Sequence, residues 1–522
     1  MQQVIAARLD LLPPEEKDLV QNASVLGKSF TRGALAALAA ATAALPALVD
    51  VLERKRFLRR EPADPDAYAF EHILVRDVAY EQMPRGERAH RHRLVAEWLS
   101  GLPGRGEDRA ELLAYHYWTA LELARAAALP SDDLVEPAVE QLVLAGRRAR
   151  RLHAYAEAID YLERALRLAG DVPDVLGELG QSLQAVGRKV EARAAFERAL
   201  ATAEPGDAIG RAGLLRLLAG TLTSEYLHGD ADAAYDRAEA AIAPLDDDDR
   251  RREWIQIQID RLTLLYWRQD AARMNELVER ARPLVEQVAT ASQQAEFLAS
   301  QYLVRLSGER FRASDETVEI SRRFLEARKA LGDRVDIARA RFNLGYVVLT
   351  RGEADDALEH LHAALTVAER TGSAILRARC LAYIAIAHRR GGDVDASRKT
   401  AEEGLAVATE LGMPEYLALA RANLGWAAWR EGDREAAAAD EAEALALFGR
   451  SASRYPFEWL ARFPLLALAL ERGDADEARE QARGMIDARQ QPLGSDLEAA
   501  LTASTPGSLW RALRLADAAG LI

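Results

Sequence analysis

The feature that most constrains the fold of this chain is a phrase that repeats along its length. Leu-Gly is followed, after six intervening residues, by Gly and an acidic residue, and then by an alanine-rich stretch. This pattern occurs at Leu344–Ala357 and again 80 residues later at Leu424–Ala437. A shorter period of 34 residues relates Gly146–Ala165 to Gly180–Ala199. Fixed periods of this size are typical of stacked helical hairpins, each of which buries its apolar face only against its neighbours. The sequence therefore predicts an all-α solenoid, a fold that usually binds other molecules instead of transforming them.

The composition of the chain argues against several classes of protein. The formal net charge of −14 argues against a protein built to coat nucleic acid. The single cysteine, Cys380, excludes an internal disulfide and a cysteine-based zinc cluster, and its apolar helical neighbours predict a packed side chain. No stretch approaches the roughly 20 apolar residues that span a bilayer, and the first ten residues lack a secretory signal. We therefore expect a cytoplasmic protein without a membrane partner.

Four parts are expected along the chain. Residues 1–101 do not follow the repeat; they combine several short helices with one hairpin, which is the winged-helix pattern. Residues 102–134 are expected to form a linker helix. The repeat region then covers residues 135–490, with about nine helical hairpins that are degenerate in the middle. Residues 491–522 are expected to be C-terminal capping helices, because terminal repeats need a polar outer face.

The repeats resemble tetratricopeptide repeats. In that family a small residue at the eighth position of the unit lets its first helix approach its second, and alanines near positions 20 and 27 do the same. Gly180, Ala192 and Ala199 match these positions. The later units resemble a longer variety found in bacterial regulators, with Phe-Asn-Leu-Gly at residues 342–345 and Ala-Asn-Leu-Gly at residues 422–425. The resemblance covers about two thirds of the chain and implies a superhelical solenoid.

The N-terminal part resembles the winged-helix segment of signal-transduction ATPases with numerous domains. The linker that follows resembles that of large bacterial proteins which combine a nucleotide cyclase or DNA-binding domain, an ATPase and such repeats. The matching residues are 6–10, 25–30, 112–117 and, above all, 70–80. These ATPases carry a phosphate-binding loop upstream of the winged helix, and this chain begins after that point. The resemblance implies the C-terminal part of such a regulator, either a fragment or a gene that lost its ATPase.

His72 is the nucleotide contact that this resemblance implies. In related plant immune receptors a Met-His-Asp element occupies the place of residues 70–73, and its histidine touches the β-phosphate of the nucleotide in the resting state. His72 aligns with that histidine, whereas Ile73 stands where the family has aspartate. The role would apply only with an ATPase domain present. No cofactor is expected for the chain by itself.

No residue pattern predicts an enzyme, and no catalytic residue is assigned. The Gly-Lys-Ser sequence that begins at Gly27 lacks the first glycine of a phosphate-binding loop, because Asn22 stands there in a helical segment. We therefore expect Gly27 to end a helix. The acidic run at residues 246–249 lacks the alternating ligands and the glycine of a calcium loop.

Two histidine pairs are candidate metal ligands. His90 and His92, like His360 and His362, are spaced by two on helices, which points the two rings of each pair to opposite sides. A zinc site would need a spacing of three or four with a third ligand nearby. We therefore expect solvated surface histidines and no metal.

The concave face of the repeats is the predicted partner-binding groove. In tetratricopeptide repeats, positions 2, 5, 9, 12 and 13 of the first helix usually line this face. Counting from the small residue at position 8 places aromatic and arginine side chains there, which are residue types that anchor interfaces and pair with carboxylates. The alternative is that the aromatic rings pack between repeats and the arginines lie in water. The predicted groove residues are Phe342, Tyr346, Arg379, Arg389, Arg390, Trp426, Trp429 and Arg430.

Three functions remain open at this point. The first is a non-enzymatic sensor, in which the repeats bind a protein, a peptide or a small effector and the winged helix passes the state to an ATPase domain. The second is a free-standing scaffold or adaptor. The third is a DNA-binding regulator, but the acidic chain and the internal role of this module in the family make nucleic acid the less expected partner. Its basic residues would be Arg54, Lys55, Arg56, Arg59 and Arg60.

Overall fold

The computed structural model describes residues 2–39, 44–62, 64–103, 106–268, 270–450 and 455–522. The remaining positions fall within the predicted N-terminal segment, linker and repeat region, and at those positions the predictions lie outside the described residues. Within the described ranges the chain forms 27 α-helices and three short β-strands, so the predicted all-α solenoid of helical hairpins is confirmed. The chain divides into two compact units, Met1–Leu179 and Gly180–Ile522.

The first unit begins with short helices around a small antiparallel sheet. The helices are α1 (Gln2–Asp10), α2 (Pro14–Leu26), α3 (Arg32–Leu38), α4 (Leu45–Arg54), α5 (Ile73–Glu81) and α6 (Arg85–Gly101). The strands are β1 (Ser29–Thr31), β2 (Leu58–Glu61) and β3 (Asp64–Phe70), in the order β1-β3-β2.

Two local features of this segment follow from its sequence. Helix α2 has proline in its first turn and ends at Gly27, whose φ of +123° is readily adopted only by glycine. The hairpin of β2 and β3 was predicted from alternating residues, whereas β1 was not, because three residues are too few to show alternation. Phe30, Phe57 and Phe70 fill the core between the sheet and the helices.

The first unit continues with α7 (Ala110–Ala126), α8 (Val135–Arg151) and α9 (Tyr155–Ala169). Helix α10 (Pro173–Ala185) runs across the division between the units. Helices α8 and α9 form a hairpin in which Gly146 faces Leu162. A Cβ atom at Gly146 would lie 2.8 Å from the Cγ atom of Leu162, so only glycine fits between the two helices.

The second unit is a stack of helical hairpins that ends in two shorter helices. Its helices are α11 (Lys189–Thr202), α12 (Ala208–Ser224), α13 (His228–Ala241), α14 (Asp248–Trp267), α15 (Ala271–Val288), α16 (Ala291–Gly308), α17 (Asp315–Leu331), α18 (Arg334–Arg351), α19 (Ala354–Thr371), α20 (Ala374–Arg390), α21 (Val394–Leu411), α22 (Pro414–Glu431), α23 (Arg434–Arg450), α24 (Trp459–Arg472), α25 (Ala475–Met485), α26 (Ser495–Ala503) and α27 (Pro506–Ala518).

The first helix of each hairpin in this stack carries an even number. Helix α12 packs against α14, α14 against α16, α18 against α20, and α22 against both α20 and α24. The first helices therefore share one face of the stack, and side chains from different repeats meet on it.

The two glycines of the repeating phrase have different structural roles. The first, as at Gly345, leaves space for a side chain of the second helix, here Leu361. The second ends the first helix in a left-handed conformation, with φ of +100° at Gly352 and +92° at Gly432. The phrase thus marks both the closest approach of the two helices and the turn between them.

Replacing Gly345 by valine should destabilise the second unit. An added Cβ atom would lie 2.9 Å from Cγ of Leu361 and 3.2 Å from the carbonyl oxygen of Ala357, so the helices must separate. We expect the free energy of unfolding in urea to fall by about 1–3 kcal/mol. The control is Gly449→Ala, where nothing lies within 4 Å of the new atom and a gain of about 0.5–1 kcal/mol is expected. A Gly345→Val protein as stable as the control would contradict the close approach.

Candidate functional site

The largest aromatic-lined cavity described in the second unit lies on the face shared by the first helices. Its volume is about 350 Å³. Among the described residues, six consecutive first helices, α12 to α22, contribute to its wall. We call it the Arg379 chamber. Its principal lining side chains are Tyr226, Tyr266, Trp267, Tyr302, Phe342, Tyr346, Arg379, Tyr383, Glu415 and Tyr416.

The tyrosines reach the chamber because each lies on a first helix, and the first helices share one face of the stack. Each first helix from α14 to α22 contributes one, in order Tyr266, Tyr302, Tyr346, Tyr383 and Tyr416. The ring centroids of Tyr346 and Tyr383 are 4.8 Å apart, and the hydroxyl groups of Tyr266 and Tyr346 are 3.1 Å apart. Burial raises the pKa of all five phenols, so they stay neutral and can donate hydrogen bonds.

Arg379 supplies the chamber with a positive charge. It lies on α20 one turn before Tyr383, and its guanidinium carbon lies 4.3 Å from the centre of the Phe342 ring, a cation–π contact. Burial by itself would lower the pKa of Arg379, but the surrounding tyrosine hydroxyls, Tyr416 and Tyr302 foremost, raise it above the ordinary value. The guanidinium is therefore charged in an environment built largely from aromatic rings.

The wall of the chamber closes where residues far apart in sequence meet. The Tyr226 hydroxyl donates a hydrogen bond to the Glu415 carboxylate at the start of α22. Tyr226 has φ of +63°, a left-handed conformation that is uncommon for a bulky residue and costs free energy. Lys189 lies beside them, and its ammonium donates to the Ser224 carbonyl at 3.1 Å. Burial raises the pKa of Glu415 and lowers that of Lys189.

Three of the predicted groove residues, Phe342, Tyr346 and Arg379, line this chamber. The interpretation of Arg389 and Trp426 as residues of an open groove is wrong, because both side chains are 0% exposed. Arg389 donates hydrogen bonds to three backbone carbonyls, those of Ala422, Leu460 and Leu521. The C-terminal residues cover this part of the inner face, a contact that counting positions within a repeat does not reveal.

The other three predicted groove residues lie outside the chamber. Arg390 lines a small cavity of about 20 Å³, with its guanidinium 5.4 Å from the Trp459 ring centre. Trp429 is half-buried. Arg430 is exposed, and its guanidinium lies 3.4 Å from the Ile522 carbonyl oxygen. Of these three, none reaches the Arg379 chamber.

The histidines occupy different environments. His72 is exposed and lies just before α5, without a side-chain cap bond to that helix. His90 and His362 are exposed and His360 is half-buried. The expectation of a solvated His92 is wrong, because α7 packs over that face of α6 and buries the ring completely.

Buried His92 belongs to a small polar cluster in the first unit. Its Nε2 atom lies 2.9 Å from the Tyr80 hydroxyl, and its Nδ1 atom lies 2.9 Å from Nδ1 of His116. Burial lowers the pKa of His92 to about 3 and that of His116 to about 4, so both rings are neutral near pH 7. The cluster satisfies its own hydrogen bonds inside the protein.

Ion pairs neutralise most of the basic residues of the N-terminal hairpin region, and of a second basic stretch, Arg147, Arg150 and Arg151 on α8. In the hairpin region, Lys55 pairs with Glu16 at 2.6 Å, Arg59 with Glu61 at 2.9 Å and Arg60 with Asp50 at 2.7 Å. In the second stretch, Arg147 and Arg150 share Glu178. Paired surface charges of this kind leave little positive potential for a phosphate backbone.

Two further kinds of site are absent from the described ranges. No helix there is both long and apolar enough to cross a membrane. No group of three or more His, Cys, Asp or Glu side chains there is placed to hold a metal ion. Cys380 is buried among apolar neighbours, and burial raises the pKa of its thiol to about 12.

Comparison with protein families identifies the repeat type in part of the chain. Residues 336–410 match the family model of the tetratricopeptide repeat. This segment covers most of α18, all of α19 and α20 and most of α21, and it contains Arg379 and the first copy of the repeating phrase. No curated protein matches the chain.

The chain is similar to several solved structures at low sequence identity and with TM-scores below 0.5. A signal-transduction ATPase with numerous domains and a tetratricopeptide repeat sensor, from Pyrococcus horikoshii, is 14% identical, with a TM-score of 0.39, over 93% of this chain and 64% of that one. The chain thus spans less than two thirds of that ATPase. NprR in complex with its cognate peptide NprX is 15% identical, with a TM-score of 0.42, over 57% of this chain and 81% of that one. The apo form of RapI is 16% identical, with a TM-score of 0.39, over 67% of this chain and 97% of that one.

Proposed function

We propose that this chain is a non-enzymatic sensor module that binds an effector in the Arg379 chamber and thereby regulates a signalling ATPase or its output domain. The observation that carries this proposal is the chamber itself. It is a concave, mostly aromatic site with a few converging polar groups, which is the usual composition of a ligand pocket, and its volume lies in the range of such pockets.

The chamber is placed to turn binding into a change in the repeat stack. Six first helices contribute to its wall, so an occupant contacts several repeats at once. A ligand that fits one arrangement of these helices better than another shifts the population toward that arrangement. Tyr226 and Glu415 are 189 positions apart in sequence, and their hydrogen bond joins distant repeats at the chamber wall. A ligand bound at this wall would therefore act on both of the repeats that this hydrogen bond joins.

The N-terminal segment would transmit this state. Its short helices and three-stranded antiparallel sheet support a winged-helix assignment for residues 1–101, and its sequence resembles the winged helix of signal-transduction ATPases. In that setting the exposed His72 would contact nucleotide on an ATPase domain, and the module would act in the cytoplasm. The alternative hypothesis is a free-standing scaffold or adaptor, which predicts partner binding that is independent of the chamber. The DNA reading is weakened by the ion pairs of Lys55, Arg59 and Arg60.

Filling the chamber tests the sensor proposal. Ala299 lines it from α16, and Ala299→Phe would occupy space that an effector needs. The measurement is the melting temperature of the full chain with the dialysable fraction of a source-cell extract. We expect this fraction to stabilise the wild-type protein, since a ligand that binds only the folded state raises its stability. We expect no shift for Ala299→Phe.

The matched control is Ala291→Phe, an exposed position on the same helix. It should keep the wild-type shift. Equal shifts in all three proteins would place the effector elsewhere, and no shift in any of them would contradict the sensor proposal. Trp426→Ala is unsuitable for this purpose, because the fully buried Trp426 reports on packing.

A further inference from the structure

We infer that the Arg379 chamber takes a small organic oxyanion, with a flat apolar body against the aromatic rings and one carboxylate or phosphate group on Arg379. The inference rests on the proposed function, since it names the ligand class of the same chamber. Three observations support it: the guanidinium of Arg379 has no ion pair among the described residues, the other polar groups of the wall are mostly donors, and the chamber is small.

The guanidinium of Arg379 lacks a carboxylate in direct contact. Within the described residues it forms no ion pair, and its Nε atom is buried without a hydrogen-bond partner. The Glu415 carboxyl of the same wall interacts with it electrostatically, without an ion-pair contact. Two other buried arginines of the unit have carboxylate partners, and the buried Arg389 instead donates to three backbone carbonyls. Arg261 contacts Asp232 and Asp236, and Arg328 contacts Glu296 at 2.8 Å.

This difference points to a ligand. A buried cation without an ion-pair contact is costly, because the charge has lost water and gained no anion in direct contact. A guanidinium binds carboxylate or phosphate through two parallel hydrogen bonds, which an ammonium cannot form. The cation–π contact with Phe342 keeps the side chain beside the cavity without neutralising it. An oxyanion in the chamber would complete the site.

The remaining polar groups favour an anion over a cation. Lys189 lies on the wall as a second basic group, and Glu415 is the one carboxylate among the lining side chains. That carboxylate already accepts the hydrogen bond from Tyr226. Tyr302 and Tyr416 surround the guanidinium with neutral hydroxyl groups, which can donate to a ligand oxygen. The chamber therefore offers several donors and little free negative charge.

The size of the chamber limits the body of the ligand. A volume of about 350 Å³ lies near the lower end of the range for ligand pockets. A space of this size suits a small body such as one aromatic ring with a short polar arm. The rings of Tyr266, Phe342, Tyr346 and Tyr383 provide faces on which a flat group can stack or pack edge-on.

Three matched probes test this inference on the full chain. Phenylacetate and phenyl phosphate carry an oxyanion, and phenylacetamide has the shape of phenylacetate without its charge. Calorimetric titration should show both anions binding at least about tenfold more tightly than the amide, because only they satisfy Arg379. The tighter of the two anions distinguishes a carboxylate site from a phosphate site.

Substitutions assign the preference to Arg379. Arg379→Gln should abolish the difference between the anions and the amide, whereas Arg379→Lys should retain part of it by keeping the charge. The control is Arg377→Gln, on the same helix but outside the chamber wall, which should bind as the wild type does. Circular dichroism checks folding, and if the glutamine variant does not fold, the lysine variant decides, since it must weaken both anions.

The outcomes separate this inference from the proposed function. Equal binding of amide and anions, or a preference that survives in Arg379→Gln, would overturn the oxyanion assignment. So would the absence of binding by all three probes at about 1 mM. In each of these cases the sensor proposal still stands if the extract stabilises the wild type and not Ala299→Phe. Failure of both experiments would remove the chamber as a ligand site.

Discussion

Replacing Arg389 by alanine is expected to lower the free energy of unfolding of the second unit by about 3–5 kcal/mol. The side chain is fully buried and lies between the rings of Trp426 and Trp459, with its guanidinium carbon 5.3 and 5.7 Å from their centres. It donates to the carbonyl of Ala422 on α22, to that of Leu460 on α24 and to that of Leu521 after α27. It therefore joins α20 to three other parts of the unit.

The size of the effect follows from what alanine leaves behind. The buried carbonyl oxygens would lose the guanidinium as donor, at a cost of about 1–3 kcal/mol for each one left without another partner, and the vacated volume would add a cavity. Arg389→Lys should recover only part of the loss. A guanidinium presents several donors in a fixed fork that reaches all three carbonyls, whereas a single ammonium cannot reach them all.

Urea denaturation followed by circular dichroism measures the loss. Hydrogen exchange should also show faster opening of α27, because its chain continues into the residues that Arg389 holds. The control is Arg430→Ala, an exposed arginine near the same C-terminal segment, for which a change within about 0.5 kcal/mol is expected. If Arg389→Ala were no less stable than Arg430→Ala, the buried hydrogen bonds would not contribute as argued.

The repeating phrase carried most of the information about the fold. It predicted the helical hairpins because a glycine that faces Leu361 and a glycine in a left-handed turn leave a visible period in the sequence. Counting positions from Gly345 also identified Phe342, Tyr346 and Arg379, since neighbouring first helices present the same positions to one face. The boundaries of the four predicted parts stay predictions.

The rest of the candidate site could not be found this way. Tyr266 and Tyr302 lie in degenerate repeats without the phrase, so there was no register from which to count their positions. The hydrogen bond between Tyr226 and Glu415 and that between Arg389 and Leu521 join residues more than 130 positions apart. Such contacts depend on how many repeats make up one turn of the stack, which no local pattern specifies. His92 was misjudged for the same reason, because its burial depends on the placement of α7.

Glu441 shows that a repeat can keep its period and still place an unfavourable residue in the core. It follows Leu361 by 80 positions and faces Gly425 as Leu361 faces Gly345. It is fully buried, and neither carboxyl oxygen has a hydrogen-bond partner in the described part of the chain. Burial raises the pKa of this carboxyl well above its ordinary value, even though nearby Arg389 lowers it. The position is built for an apolar side chain.

Glu441→Leu is therefore expected to raise the free energy of unfolding near pH 7 by about 2–4 kcal/mol, because it replaces an unsatisfied buried acid with the side chain that the equivalent repeat uses. The effect should depend on pH. A folded-state pKa above the unfolded value means that the folded protein binds more protons, so wild-type stability falls as the pH rises above about 4.3, by up to about 1.4 kcal/mol per unit. This loss continues until the pH passes the folded-state pKa.

Urea titrations between pH 4 and pH 8 measure this dependence. The leucine variant should lack the part of the slope that Glu441 contributes, so that the two proteins differ least at the acidic end and most at the alkaline end. Glu435→Leu, an exposed position on the same helix, should keep the wild-type slope and change stability by no more than about 0.5 kcal/mol. A gain from Glu441→Leu that is equal at all pH values would show that the carboxyl is not protonated in the folded state, and a loss would show that it has a partner. We predict that the gain in the free energy of unfolding grows with pH for Glu441→Leu and not for Glu435→Leu. This combination requires a buried acid at a repeat position that suits leucine.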